Sequence, residues 1–249
     1  KSPLTGTIAS SNSGGFFGAQ LKFAGYDLII FEGKSAKPVY LSILDSGITL
    51  KDATSIWGKT VNETTDALVL ESGIKDARVA CIGPAGENLC LAASIMNDKG
   101  RAAGRSGVGA VMGSKNLKGI VIGTTKTRPS LADDAAFKAG VQECMKLLKA
   151  DPVTSQGLPA FGTKVLDNII NSSGMYPSYN FQKSTFADVG EVSGEALVEK
   201  GYLKKKKGCF GCPIACGRDV TLPTGAVGEG PEYESGWCFG ALCGVNDLI

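Results

Sequence analysis

Cys209-Phe-Gly-Cys212-Pro-Ile-Ala-Cys216 places three thiols at C-x2-C-x3-C spacing inside eight residues. Whatever surrounds it, the chain must turn here tightly enough to aim three sulfurs at one centre. That demand suits inorganic chemistry better than disulfide pairing. Thiolates at these spacings reach three corners of a [4Fe–4S] cluster, with a fourth ligand supplied from elsewhere. A zinc site is the main rival, because four-cysteine zinc knots also use C-x2-C pairs. Such knots come as two separated pairs, so iron–sulfur ranks first, zinc second and coincidental buried thiols third. Pro213 and the small residues between the cysteines suit the turn. The fourth ligand stays open, since Cys238 and Cys243 follow in an apolar, helix-like stretch.

The other five cysteines, Cys81, Cys90, Cys144, Cys238 and Cys243, sit in apolar surroundings and read as buried free thiols. Eight cysteines in 249 residues are too sparse for a disulfide scaffold. The implied compartment is reducing, which reads as cytoplasmic. The chain has no histidine, so it holds no imidazole base or ligand of its own. A net charge of +2 and 43% hydrophobic residues describe a globular protein, with no basic face for nucleic acid. No run of eighteen apolar residues suggests a membrane span. The chain opens without Met and stops in an apolar pattern, which reads as a fragment cut at both ends.

Composition divides the chain. Up to about Gly123, glycine is dense and the apolar runs are short. Leu28-Ile-Ile-Phe31, Val39–Ile43, Val79–Ile82 and Ile120–Ile122 read as strands, with turns at Glu32-Gly33 and Asp45-Ser-Gly47. The stretch from Val61 to Ser72 reads as a helix. A linker is expected near Lys126–Ser130, after which the apolar period becomes 3.6. Phe137, Val141, Met145 and Leu148 line one helix face, with Asp133 and Asp134 at its start. Val165, Ile169 and Ile170 mark a second helix ending at Gly174, and Glu195 to Tyr202 a third. The cysteine motif is expected in a loop after that third helix, in a helical region.

Three further stretches can carry chemistry. Arg101 to Lys115 is rich in small residues flanked by two arginines, a combination suited to phosphate. Its glycines fit neither a Walker A loop nor the dinucleotide fingerprint, and a packed Gly-rich turn is the plain alternative. Ser10-Ser-Asn-Ser-Gly-Gly15 is turn-like and lets backbone approach a ligand, though taken alone it reads first as an ordinary loop. Gly230-Pro-Glu-Tyr-Glu234 brings two carboxylates, read either as a solvated turn or as a general base near a metal.

An ordered series of segments resembles the aldehyde ferredoxin oxidoreductases, the tungsten-pterin enzymes. It comprises Lys1-Ser-Pro-Leu-Thr-Gly6, Asn12-Ser-Gly-Gly15, Leu21-Lys-Phe-Ala-Gly-Tyr-Asp27 and Ile82-Gly-Pro-Ala-Gly-Glu-Asn88. It continues through Arg101-Ala-Ala-Gly-Arg105, Gly107 to Lys118, Cys209 to Arg218 and Glu229-Gly-Pro-Glu-Tyr-Glu-Ser235. With that resemblance the cysteine triplet is read as iron–sulfur.

The resemblance implies an α+β fold. A β-rich, two-sheet tungstopterin-binding domain would span 1–127 with its start missing. The beginning of a mainly helical iron–sulfur domain would span 128–249 with its end missing. It implies a tungsten–bis(molybdopterin) cofactor with a bridging Mg2+. Asn12, Ser13, Gly14 and Gly15, together with Arg101, Ala102, Ala103 and Gly104, would approach the pterin phosphates. Cys209, Cys212 and Cys216 would hold three corners of a [4Fe–4S] cluster whose fourth ligand lies beyond Ile249. Cys238 and Cys243 would then be core thiols. Glu234 would act as general base while an aldehyde is oxidised to a carboxylic acid. Electrons would leave through the cluster to ferredoxin or an electron-transfer subunit, and a homo-oligomer is compatible with the family. Alternative readings are the tungsten subunit of a benzoyl-CoA reductase and, outside enzymes, a zinc-knot scaffold. Lys204-Lys-Lys-Lys207, beside the cluster motif, reads as a solvated charge run or as a surface that steers an acidic ferredoxin.

Overall fold

A computed structural model describes residues 1–126 and 129–249. The chain forms two compact units, Lys1–Ser130 and Leu131–Ile249. Thr127 and Arg128, within the expected linker, lie outside the described residues.

Unit 1 is built on strands β1 (Val39–Leu44), β2 (Gly47–Asp52), β3 (Arg78–Cys81), β4 (Ile95–Asn97), β5 (Arg101–Ala103) and β6 (Leu117–Gly123). They form one six-stranded sheet in the order β2-β1-β6-β3-β4-β5. Only β1 and β6 run parallel among these pairs; the rest are antiparallel. Asp45-Ser46 turns β1 directly into β2, pairing Leu44 with Gly47. Side-chain alternation sends Tyr40, Val79, Cys81 and Val121 into one core with Leu68. Leu41, Ile43 and Ile122 enter another on the opposite face.

Helices cover both faces. Helix α1 (Phe17–Phe23) contributes Phe17 and Leu21 to the core with Leu41. Helix α2 (Val61–Ser72) buries Leu68 in the core with Tyr40. It starts on a capping box, with Thr60 and Glu63 each satisfying the other's backbone N–H, and ends at left-handed Gly73.

Two short helices, α3 (Pro84–Glu87) and α4 (Val108–Ser114), pack backbone against backbone. A Cβ on Gly113 would drive into the Gly86 carbonyl, and one on Gly109 into the Ser94 carbonyl. The glycines after Arg105 therefore serve close packing, which is the plain alternative for that stretch. Gly113→Ala is expected to lower stability by about 3 kcal/mol, the scale of core overpacking. Gly140 meets nothing within 4 Å, so Gly140→Ala should raise it by up to about 1 kcal/mol through helix propensity. Thermal unfolding of the whole protein checks both. Equal shifts for the two variants would contradict the packing account.

Unit 2 opens with helix α5 (Asp134–Ala150), capped by Asp133, whose side chain accepts from the Ala136 N–H. Helices α6 (Leu158–Phe161), α7 (Leu166–Ser172), α8 (Val189–Val192) and α9 (Gly194–Glu199) follow. An antiparallel sheet of β7 (Leu203–Lys207), β8 (Gly217–Thr221) and β9 (Val227–Glu229) comes next, then helix α10 (Tyr233–Phe239). The core joins Tyr176, Phe186, Val189 and Val192 to Ala241, with Tyr233 and Trp237 packed against it.

The α+β class holds, with corrections of detail. The described residues of unit 1 form one sheet rather than two. The second sheet belongs to unit 2, so that unit is not purely helical. Leu28–Phe31 alternates as a strand does, with Ile29 and Phe31 packed inward and Leu28 and Ile30 exposed. Among the described residues it has no ladder partner, and pairing is what makes a strand. The cysteine motif follows a strand, β7, and not the helix α9.

The non-motif thiols also depart from expectation. Cys81 is buried and burial pushes its thiol up, but Cys90, Cys144 and Cys243 are exposed and Cys238 is half-buried. Cys144 lies on α5, which buries none of its residues within this chain.

Candidate functional site: a sheet edge and a cysteine loop

In unit 1 the structure brings the two expected phosphate loops together. Ser13 accepts a hydrogen bond from the Asn97 side-chain amide at 2.5 Å, and the Phe16 N–H donates to Asp98 at 2.5 Å. Phe16 lies under the Arg78 guanidinium, 4.6 Å from its ring centre. Gly15 sits at φ +97°, and a Cβ there would meet Asn97, Asp98 and the Arg101 side chain at 2.5, 2.6 and 3.2 Å. Only glycine lets the loop lie this close to Arg101. The Arg105 N–H donates to Ser11 at 2.9 Å, closing the other side.

Arg101, Ala102 and Ala103 form β5, the last strand of the sheet. An outer edge presents backbone N–H groups without ladder partners, and Gly104 continues it exposed. Small side chains keep that edge open to an anion. The Asn97 side-chain oxygen is buried and lacks a hydrogen bond among the described residues, so the cradle has unfilled polar capacity. Asn97 and Asp98 were missed in the sequence because an Asn-Asp pair before Gly100 reads only as a turn.

In unit 2 the three motif cysteines lie half-buried in the loop between β7 and β8. The Cys212 N–H donates to the Cys209 carbonyl at 3.1 Å, and Gly211 and Ala215 take left-handed backbone at φ +67° and +51°. Among the described residues, no three Cys, Asp or Glu side chains close in as tightly as one metal ion needs. All three thiols are free and share one loop. Three free thiols on one loop are the donor chemistry that an iron–sulfur cluster takes.

Arg218, 2% exposed, holds that loop from behind. Its guanidinium donates to the Ala215 and Gly217 carbonyls at 2.8 Å each and to the Leu158 carbonyl at 2.6 Å. Burial draws its pKa down, opposed by the nearby Cys216 and Glu232. Gly162, at φ +65°, completes the support, since a Cβ there would stand 2.8 Å from the Cys216 carbonyl.

Cys216 and Glu234 are eighteen positions apart, yet the β8–β9 hairpin folds the intervening chain back. The Gly230 N–H donates to the Arg218 carbonyl at 2.8 Å, so α10 starts beside the cysteine loop. Thr163 fixes that start: its hydroxyl donates to Glu232 at 2.7 Å and accepts from the Tyr233 N–H at 2.8 Å. Glu234 stands exposed in the first turn of α10, and Ser235 and Gly236 after it line a cavity of about 300 Å³.

Lys164, 1% exposed, also lines the cavity and lies against Gly236. It forms an ion pair with Asp167 at 2.7 Å, and the Tyr176 hydroxyl donates to Asp167 at 2.9 Å. Burial raises the Asp167 carboxyl, partly offset by Lys164.

The N-terminal domain model of aldehyde ferredoxin oxidoreductase matches residues 1–124, and the model of its domains 2 and 3 matches residues 139–249. The chain belongs to the aldehyde ferredoxin oxidoreductase family. The tungsten-containing aldehyde ferredoxin oxidoreductase of Pyrococcus furiosus is 55% identical over 248 residues, covering all of this chain and 41% of that protein. The one from Thermococcus kodakarensis is 54% identical, covering all of this chain and 41% of that protein. The chain therefore spans about two fifths of the length of these relatives. Among solved structures, the active-site complex BamBC of benzoyl coenzyme A reductase with 1,5-dienoyl-CoA superposes with TM-score 0.76 at 27% identity. That match covers 98% of this chain and 41% of the other. Among the described residues, no helix is long and apolar enough to cross a membrane.

Proposed function

We propose that this chain is the tungstopterin-facing and cluster-bearing part of an aldehyde:ferredoxin oxidoreductase. The 55% identity to a tungsten-containing member, with the cysteine loop and Glu234 both in place, carries this reading. The 27% identity to the benzoyl coenzyme A reductase complex ranks that chemistry second. Residues 1–127 would form the pterin-binding domain and 128–249 the iron–sulfur domain. Eight free thiols support a reducing, cytoplasmic setting.

The reaction balances as R–CHO + H2O giving R–COO−, two electrons and three protons. When bound, the tungsten–bis(molybdopterin) group with its Mg2+ supplies the two-electron chemistry, and the [4Fe–4S] cluster the one-electron route to ferredoxin. This chain's residues do the rest. Arg101 and the β5 edge bind phosphate, while Asn12–Gly15 closes over that edge. Glu234 takes up a proton at its carboxylate as the substrate is attacked. Cys209, Cys212 and Cys216 hold three cluster corners, with Arg218 positioning their loop.

Aldehyde-dependent reduction of ferredoxin by the whole protein tests the activity. Turnover with aromatic CoA thioesters and none with aldehydes would favour the reductase reading. Arg101→Ala is expected to reduce tungsten and pterin content severalfold while iron stays unchanged. Parallel loss of both metals would indicate misfolding and count against the phosphate role.

A further inference from the structure

We propose that the outer edge of β7 is the docking surface for the electron carrier, a small acidic one-electron protein. The proposal rests on the reading of the Cys209 loop as a redox cluster. Strand β7 is the first of the sheet β7-β8-β9, so among the described residues one side of it has no ladder partner. Four consecutive lysines occupy it, and they divide in two. Lys207 turns inward to Asp219 at 3.2 Å and Glu229 at 2.9 Å, and hydrogen bonding to Glu229 raises its pKa. Lys204, Lys205 and Lys206 are exposed. Among the described residues, Lys204 donates to the Gly201 carbonyl and has no carboxylate partner. Lys205 and Lys206 have no carboxylate partner among the described residues.

This positive edge runs through Gly208 directly into Cys209. Beside it stands Phe210, 52% exposed on the cysteine loop. A transient electron-transfer complex needs this combination: charge at the rim to steer encounter, and a small apolar contact close to the redox centre. The three strands carry five basic side chains and two acidic ones. Lysines on an edge strand also discourage pairing with another sheet. Glutamates would do that equally well, which separates the two roles.

The test is the triple reversal K204E/K205E/K206E in the whole protein. At low ionic strength the KM for an acidic ferredoxin is expected to rise about tenfold or more, and the salt dependence of the rate to flatten or invert. Turnover with a small uncharged dye acceptor should stay within about twofold of wild type. K205Q/K206Q, a milder change, should raise the ferredoxin KM severalfold and keeps the test sharp if the triple variant does not fold. Unchanged ferredoxin kinetics with intact dye turnover would overturn the docking surface alone. Absence of iron and sulfide from the wild-type protein would overturn the cluster reading and this proposal with it.

Discussion

Replacing Cys216 with alanine in the whole protein is expected to cost the proposed cluster and, with it, the reduction of ferredoxin. The backbone around residue 216 is fixed independently of the thiol. Arg218 holds the carbonyls on either side, and the Cys216 carbonyl lies against Gly162. The substitution therefore deletes one sulfur while keeping the loop. Loss of one of four thiolate ligands is expected to lower bound iron several-fold and carrier reduction to background. Cys243→Ala provides the contrast. Cys243 is exposed, and its thiol donates only to the Cys238 carbonyl at 3.2 Å. It should retain full iron and change stability by no more than about 0.5 kcal/mol. Equal loss of iron from both variants would mean that the triplet is not the ligand set.

Glu234→Gln is the second large effect. The side chain is exposed at the start of α10, so the isosteric amide needs no repacking. The helix is anchored without it, by Thr163 at Glu232 and Tyr233 and by the Trp237 indole N–H on the Pro177 carbonyl at 2.6 Å. Removal of a general base is expected to lower kcat by about 10²–10⁴ while tungsten, iron and the unfolding temperature stay unchanged. Glu232→Gln should do the opposite. It weakens the acceptor of the Thr163 hydroxyl and so lowers stability by about 1 kcal/mol, with a smaller effect on kcat. A Glu234→Gln variant with wild-type kcat would assign the base elsewhere.

The elements legible in the sequence are those whose signal is local. The helix read from Val61 to Ser72 forms over those residues because its caps and its glycine stop lie inside the segment. Val39–Ile43 and Ile120–Ile122 are central strands of the sheet, where apolar runs are buried from both sides. The strands β4, β5 and β7 were not legible, since Ile-Met-Asn, Arg-Ala-Ala and a lysine run carry no alternation and gain their structure from pairing.

The same holds for the candidate site. The cysteines announce themselves by type and spacing, whereas Glu234 stands out only through the family resemblance. What holds them does not: Arg218 under the loop, Thr163 at the helix start and Asn97 against Ser13 are distant in sequence from what they position. The exposed thiols of Cys90, Cys144 and Cys243 mislead for a related reason. Apolar neighbours in sequence do not bury a residue unless another element packs over it.

Metal and sulfide analysis of the whole protein, prepared without oxygen, tests the central claim most directly, with the C209A/C212A/C216A variant alongside. The account predicts tungsten together with about four iron atoms and matching sulfide per chain in the wild type. The variant should lose the iron and keep the tungsten. Zinc in place of iron and sulfide, bound by wild type and lost from the variant, would contradict it.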